Sequence, residues 1–331
     1  MHSKSAGRLA SILAEQSDVI AYFQVIAAGC DSGLPTREVA AGRWQQPIRG
    51  VYVAGTGELT YLQRAWCAQL VGGEEAVVSG PLGCHVLGIP DSPSLIAVAV
   101  VPSGCHRHGD EHYQVRRSAA EQVWGLRGRL RLAGPTRAVI DACRITRSLQ
   151  DVRALVCGAI RAKHTTYQAL VTARASEPRA GLGLLGRALQ DWADGARSAP
   201  EAEVADVLRD EVRAGRLPPF LLNPNVYDGA VLLGAPDVYV PGCSLGAETD
   251  SVRHHGSEQQ LSGTLSRHQV FERAGIVLEH VTPSRFRQSP RAWGALFSAM
   301  SDDRCGLGDP KGLRIEPIGP LQPVPGRRRP R

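Results

Sequence analysis

Apolar residues recur at three-to-four spacing over Ala6–Gln16 and again over Val19–Ala28, which predicts two short helices. Gly29-Cys30-Asp31-Ser32-Gly33 reads as a turn. A third helix then starts at Pro35, a residue suited to a first helical position, and ends by Gly42. Trp44–Val53 reads as two strands around a turn. Three short helices followed by such a hairpin predict a winged helix-turn-helix over residues 1–55. Its third helix would offer Thr36 and Arg37 to a DNA groove, with Arg43 just past its end, and the wing would bring Arg49 to phosphate. Residues 1–60 hold five positive and five negative charges. The residues alone therefore leave a small helical cap without DNA equally open.

Residues 56–197 mix the two periods. Ala65–Leu70 predicts a helix, Leu95–Val101 a strand and Gln114–Arg117 another. Pro135–Ala142, Leu149–Lys163, Thr166–Arg174 and Leu182–Trp192 carry helical spacing. From residue 198 the pattern runs helix, strands, helices. Ser198 is a helix N-cap with Glu201 three residues on, the spacing of a capping box. Asn225–Gly229 is a hairpin signal. A strand follows Pro236 and runs to Val240. A second, Leu245–Val252, is entered from the turn at Pro241-Gly242. Residues 302–331 lack either period and end in Arg327-Arg328-Arg329-Pro330-Arg331, which predicts a flexible basic tail.

The 331 residues suit two or three domains, and 43% hydrophobic content against 21% charged is enough to bury cores. The longest clean apolar run, Leu95–Val101, is seven residues, against the roughly 20 that a membrane-spanning helix needs. The N-terminus has no basic stretch followed by an apolar one. The eight cysteines form no CxxC pair and read as reduced thiols of a cytoplasmic protein. Cys84-His85 and Cys105-His106-Arg107-His108 lack the paired spacing of a zinc site and read as loop residues. The net charge of +6 is uneven: residues 101–199 carry net +8 and residues 200–300 net −3. A basic middle beside an acidic C-terminal part fits nucleic-acid contact next to a cation site, but +6 over 331 residues is modest and charge alone favours a solvated surface.

The acids of residues 198–281 hold the most pointed chemistry. Alternation puts Glu248 and Asp250 on one face of their strand, and Asp237 lies on a strand able to pair with it. Carboxylates gathered so closely repel unless a cation neutralises them, and hard oxygen donors suit Mg²⁺ or Mn²⁺. His255, five residues past Asp250, could serve as general base, general acid or phosphate ligand. Exposed acids on an edge strand would give the same spacing.

The stretch from Ser198 to about Arg291 resembles the very-short-patch-repair (Vsr)-like endonucleases, within the PD-(D/E)xK restriction-endonuclease fold. The matching features are Glu201 or Glu203 in the first helix, Pro236-Asp237, Glu248-x-Asp250 with His255, Thr264–His268, and Gly275–Leu278 through Thr282-Pro283. Upstream, residues 8–55 and the segments Val78-Ser79-Gly80 and Pro135–Asp141 resemble AbiEi-type abortive-infection antitoxins. The two resemblances imply an α/β multidomain chain: a winged helix over residues 1–55, an α/β middle over 56–197, a restriction-endonuclease-like α/β/α domain over 198–301, and a tail. They imply Mg²⁺- or Mn²⁺-dependent cleavage of DNA in phage defence or DNA processing. Asp237 would be the principal metal ligand, Glu248 and Asp250 further acids, His255 the proton-transfer group, and Glu201 or Glu203 the helix carboxylate. The other implied reading is a non-enzymatic antitoxin-like repressor with a cognate toxin, which could bind palindromic DNA as a homodimer. One departure stands out: no lysine lies between Lys163 and Lys311, and Asp250 occupies the usual lysine position.

Overall fold

The computed structural model describes residues 3–73, 75–105, 108–109, 113–118, 124–249, 268–320 and 322. The chain is mixed α/β and divides into two compact units, Met1–Gly186 and Arg187–Arg331. Asp250, His255, Ser251, His254 and Thr264–Arg267 lie outside the described residues.

The first unit opens with α1 (Ser3–Glu15), β1 (Val19–Ala21), α2 (Tyr22–Ala27), α3 (Leu34–Ala40), β2 (Trp44–Ile48) and β3 (Val51–Ala54). The helix expected over Val19–Ala28 is thus a strand followed by a shorter helix. Ser17 and Asp18 take positive φ and end α1. The buried run Val19-Ile20-Ala21 then pairs antiparallel with β3, giving a three-stranded sheet in the order β1-β3-β2. Its valines Val19, Val51 and Val53 share one apolar cluster with Trp66, Leu70, Val78 and Leu132. The first 55 residues therefore lean on the core that follows them.

That core is built from α4 (Tyr61–Gly72), β4 (Val77–Ser79), α5 (Gly80–Val86), β5 (Ala97–Pro102), β6 (Tyr113–Ser118), β7 (Trp124–Arg127) and β8 (Leu130–Ala133). Thr60 and Gln63 form a reciprocal capping box on α4. The five strands make one sheet in the order β6-β5-β4-β8-β7. Helices α6 (Pro135–Ile145), α7 (Leu149–Arg161) and α8 (Tyr167–Ala175) follow, and α9 (Gly183–Ala193) carries the boundary between the units.

The second unit begins with α10 (Ala199–Arg213), capped by Ser198 Oγ, which accepts from the Glu201 N–H at 3.3 Å. Then come β9 (Leu221–Leu222), β10 (Asn225–Asp228), β11 (Val231–Gly234), β12 (Val238–Val240) and β13 (Leu245–Thr249). Helical residues 268–273 (α11), β14 (Val277–Val281), α12 (Pro283–Gln288), α13 (Pro290–Cys305) and β15 (Leu313–Glu316) follow. The main sheet runs β14-β13-β12-β9, with β13 and β14 parallel and the other pairs antiparallel. Helices α10 and α13 cover it through Leu208, Ala205 and Phe297, all buried.

Residues 302–320 are not the expected tail. β15 pairs with β10, and Phe220 and Gln322 exchange backbone hydrogen bonds at 2.8 and 2.6 Å. The Asp309 carboxylate accepts from the Gly242 and Ser244 N–H groups and from the Tyr239 hydroxyl, at 2.7, 3.1 and 2.7 Å. The cysteine reading also changes: Cys243 and Cys305 are joined in a disulfide.

Candidate active site

Register sets the site. In the β12–β13 hairpin Val238 faces Ala247, so Asp237, one residue before β12, comes beside the Glu248–Thr249 end of β13. Asp237 therefore precedes its strand, which starts at Val238 and not directly after Pro236. Thr249 secures the carboxylate twice: its N–H and its Oγ1 both donate to Asp237 Oδ2, at 2.7 and 2.5 Å. Burial pushes the Asp237 carboxyl up to about 8; the Glu201 charge adds to the rise, the Thr249 bonds oppose it, and Glu248 adds a smaller push.

Glu201 arrives from the first turn of α10. Its side chain does not close the expected capping box on Ser198. Glu201 Oε2 instead accepts from the Arg197 N–H at 2.7 Å and from Asn223 Nδ2 at 2.6 Å. Asn223 also donates its own N–H to the Asp237 carbonyl at 3.1 Å. It takes φ 49°, a left-handed conformation that asparagine tolerates. Asn223 thus ties the helix acid to the strand acid. Glu203, the other helix candidate, turns to Arg287, which donates to both its carboxylate oxygens at 3.2 and 2.9 Å.

Glu248 is buried, and its Oε2 lies 3.5 Å from His268 Nε2. His268 stacks on His280 with ring centroids 3.9 Å apart. Strand β14 sets His280 directly opposite Glu248 in the parallel register. Thr249, Asn223, His268 and His280 were not read as site residues from the sequence. Thr249 occupies the middle of Glu248-x-Asp250, and His268 closes a segment already noted. His280 follows from the register alone. Among the described residues no group of three or more His, Cys, Asp or Glu side chains gathers as a metal cage.

In the first unit Thr36, Arg37, Arg43 and Arg49 are all exposed. Arg37 pairs with Asp31 at 2.8 Å, and Arg43 holds Glu38 through two bonds at 2.6 and 2.8 Å. These guanidiniums hold both acids below the usual carboxylate range. Arg49 sits in the β2–β3 turn. Cys84 is buried in α5, where burial pushes its thiol up, while His85 packs edge-on against Tyr61 at 4.9 Å. His106 and Arg107 lie outside the described residues.

No family model matches the chain, and no curated protein matches it. Among solved structures the chain is similar to the RV2827C protein from Mycobacterium tuberculosis, at 17% identity and a TM-score of 0.36, over 56% of this chain and 76% of that one. Among the described residues no helix is long and apolar enough to cross a membrane.

Proposed function

We propose that this chain binds DNA and that its second unit is an endonuclease-like domain cleaving phosphodiester bonds with Mg²⁺ or Mn²⁺. The observation that carries the reading is the hairpin geometry: Asp237 stands beside Glu248, fixed by Thr249 and linked through Asn223 to Glu201. The donor set suits a hard cation. Both Thr249 bonds fall on Asp237 Oδ2, which leaves Oδ1 outside that clamp. Mg²⁺ commonly takes one or two carboxylates and keeps several waters, so Asp237 and Glu248 suffice without a protein cage. When bound, the ion would activate water and neutralise charge building on the phosphate. Asp237 and Glu248 would hold it, Thr249 and Asn223 would orient the acids, and His268 would hold a proton at Nε2 on the Glu248 side. Asp250 and His255, outside the described residues, remain candidates for a further acid and proton carrier.

The decisive experiment is nicking of supercoiled plasmid with Mg²⁺ or Mn²⁺ by wild type and Asp237→Asn, alongside Mn²⁺ titration of both. Metal-dependent nicking lost in the variant supports the reading; a wild type that neither nicks nor binds Mn²⁺ refutes it.

A second reading, a non-enzymatic antitoxin-like repressor with a cognate toxin, draws on the first unit. The order α1-β1-α2-α3-β2-β3, with Thr36 exposed on α3 and Arg49 exposed in the hairpin turn, suits a winged helix. A mobility shift on DNA from its own promoter, unchanged by Asp237→Asn and weakened by Arg49→Ala, would favour it.

A further inference from the structure

We propose that the cleft between α2, α4 and the β7–β8 turn of the first unit binds a small amphipathic organic anion, an aryl or alkyl carboxylate. The cleft measures about 390 Å³, within the size range of small-molecule sites. Trp66 and Leu70, both buried, form its base. Phe23 and Leu126 form its lips, 47% and 63% exposed, two large apolar side chains left in water. Arg129 and Arg131 stand among the lining residues. Apolar base, apolar lips and the exposed Arg129 guanidinium match a ligand with a hydrocarbon body and one carboxylate.

The walls are held before any ligand arrives. Gln69 Nε2 donates to the Arg129 carbonyl at 3.3 Å, and the Arg131 N–H donates to Gln69 Oε1 at 2.6 Å. These two bonds fix the β7–β8 turn to α4. Gln16 and Gln24 exchange amide bonds at 3.0 and 2.9 Å, and Gln24 also caps the Ala21 N–H at 2.9 Å. The amides of the walls are therefore spent on one another and on backbone. Arg129 is 77% exposed and reaches Glu15 at 3.2 Å, an exposed pair that a ligand carboxylate can exchange at little cost. A site already ordered loses little entropy on binding. The inference holds whether or not the second unit cleaves DNA.

The test is calorimetric titration of the full chain with 1-naphthoate, with neutral 1-naphthamide and inorganic phosphate as controls. Saturable one-to-one binding of 1-naphthoate is expected, with neither control binding comparably. Arg129→Gln should weaken it about two- to fivefold, since an exposed charge contact is lost. Leu126→Asp, a change at an exposed position, should abolish it while the circular dichroism spectrum stays that of wild type. Phe23→Ser provides a second lip variant with the same expectation. No saturable 1-naphthoate binding overturns the proposal. Equal binding of the amide or of phosphate overturns the ligand class, and wild-type affinity in all three variants overturns the location.

Discussion

Ser79 Oγ donates to Asp141 Oδ2 at 2.6 Å, joining residues 62 positions apart. Ser79 ends β4 and Asp141 lies in the middle of α6, and both are buried. They belong to the two upstream segments, Val78-Ser79-Gly80 and Pro135–Asp141, that carry the antitoxin resemblance. Around Asp141 lie Arg137 Nε at 2.9 Å and Arg116 Nε at 3.3 Å, and Glu177 draws in Arg137 and Arg144 in turn. The segments that stand out in the sequence thus meet in a polar knot inside the first unit, where they hold α6 to the sheet.

Removing Asp141 should be the costliest change in that knot. Asp141→Ala leaves the partly buried Arg116 and Arg137 guanidiniums with Glu177 as their remaining carboxylate, a loss of up to about 3–5 kcal/mol. Ser79→Ala removes one neutral donor and should cost about 1–2 kcal/mol. Urea unfolding of both variants checks the order; Asp141→Ala as stable as Ser79→Ala would mean the guanidiniums find other partners.

Asp237 should make the metal-free protein less stable as pH rises. Its folded carboxyl holds a proton up to about 8, whereas the unfolded chain gives it up in the ordinary carboxylate range. Between those values the folded state binds the extra proton, so stability falls as pH climbs from about 4 through about 8. Asp237→Asn removes that fall. With chelator present at pH 9 the variant should be more stable than wild type by at least about 1.4 kcal/mol, the equivalent of one pKa unit. Unfolding midpoints at pH 5 and pH 9 decide it, and equal slopes for the two proteins would contradict it.

Much of the second unit was legible because its signals are local. Pro241-Gly242 marks the β12–β13 turn, and alternation across that turn brings Asp237 to Glu248. Ser198 shows its capping role from spacing alone. What escaped is what partners far along the chain decide. Val19–Ala21 has helical spacing, yet its pairing with Val51–Val53 makes it a strand. Val77–Ser79 is three residues long, too short to show a period, and is a strand because β5 and β8 flank it. Residues 302–320 lack a period, and Asp309 is nonetheless fixed by groups 65 to 70 positions earlier. His280 reaches the site only through the parallel register with Glu248.

Thr249 should behave as a positioning residue for the acid pair. Thr249→Val keeps the branched shape and the backbone donor but removes Oγ1 from Asp237. Groups that orient a metal ligand typically contribute 10–100-fold in affinity or activity. Nicking should fall by about that factor, and Mn²⁺ affinity should fall with it. Thr249→Ser restores the hydroxyl and should recover most of both. A valine variant that nicks at the wild-type rate would remove Thr249 from the site.

The Cys243–Cys305 bond should carry a measurable share of the second unit's stability. It spans 62 positions and ties the β12–β13 turn to the last residue of α13. Closing a loop of that length removes chain entropy from the unfolded state worth about 4 kcal/mol at most. Breaking it should not unfold the unit, because other ties grip the same turn. Arg304 Nε donates to the Cys243 and Ser244 carbonyls at 3.3 and 3.2 Å, and Asp309 accepts from Gly242 and Ser244. A Cys243→Ser, Cys305→Ser double variant should therefore stay folded, unfold at lower urea than the oxidised wild type, and match the wild type in reductant. Thiol counting in denaturant without reductant should find six free cysteines of the eight. A count of eight, or a midpoint that reductant does not move, would mean that the bond does not form in the protein and that Arg304 and Asp309 hold the turn unaided.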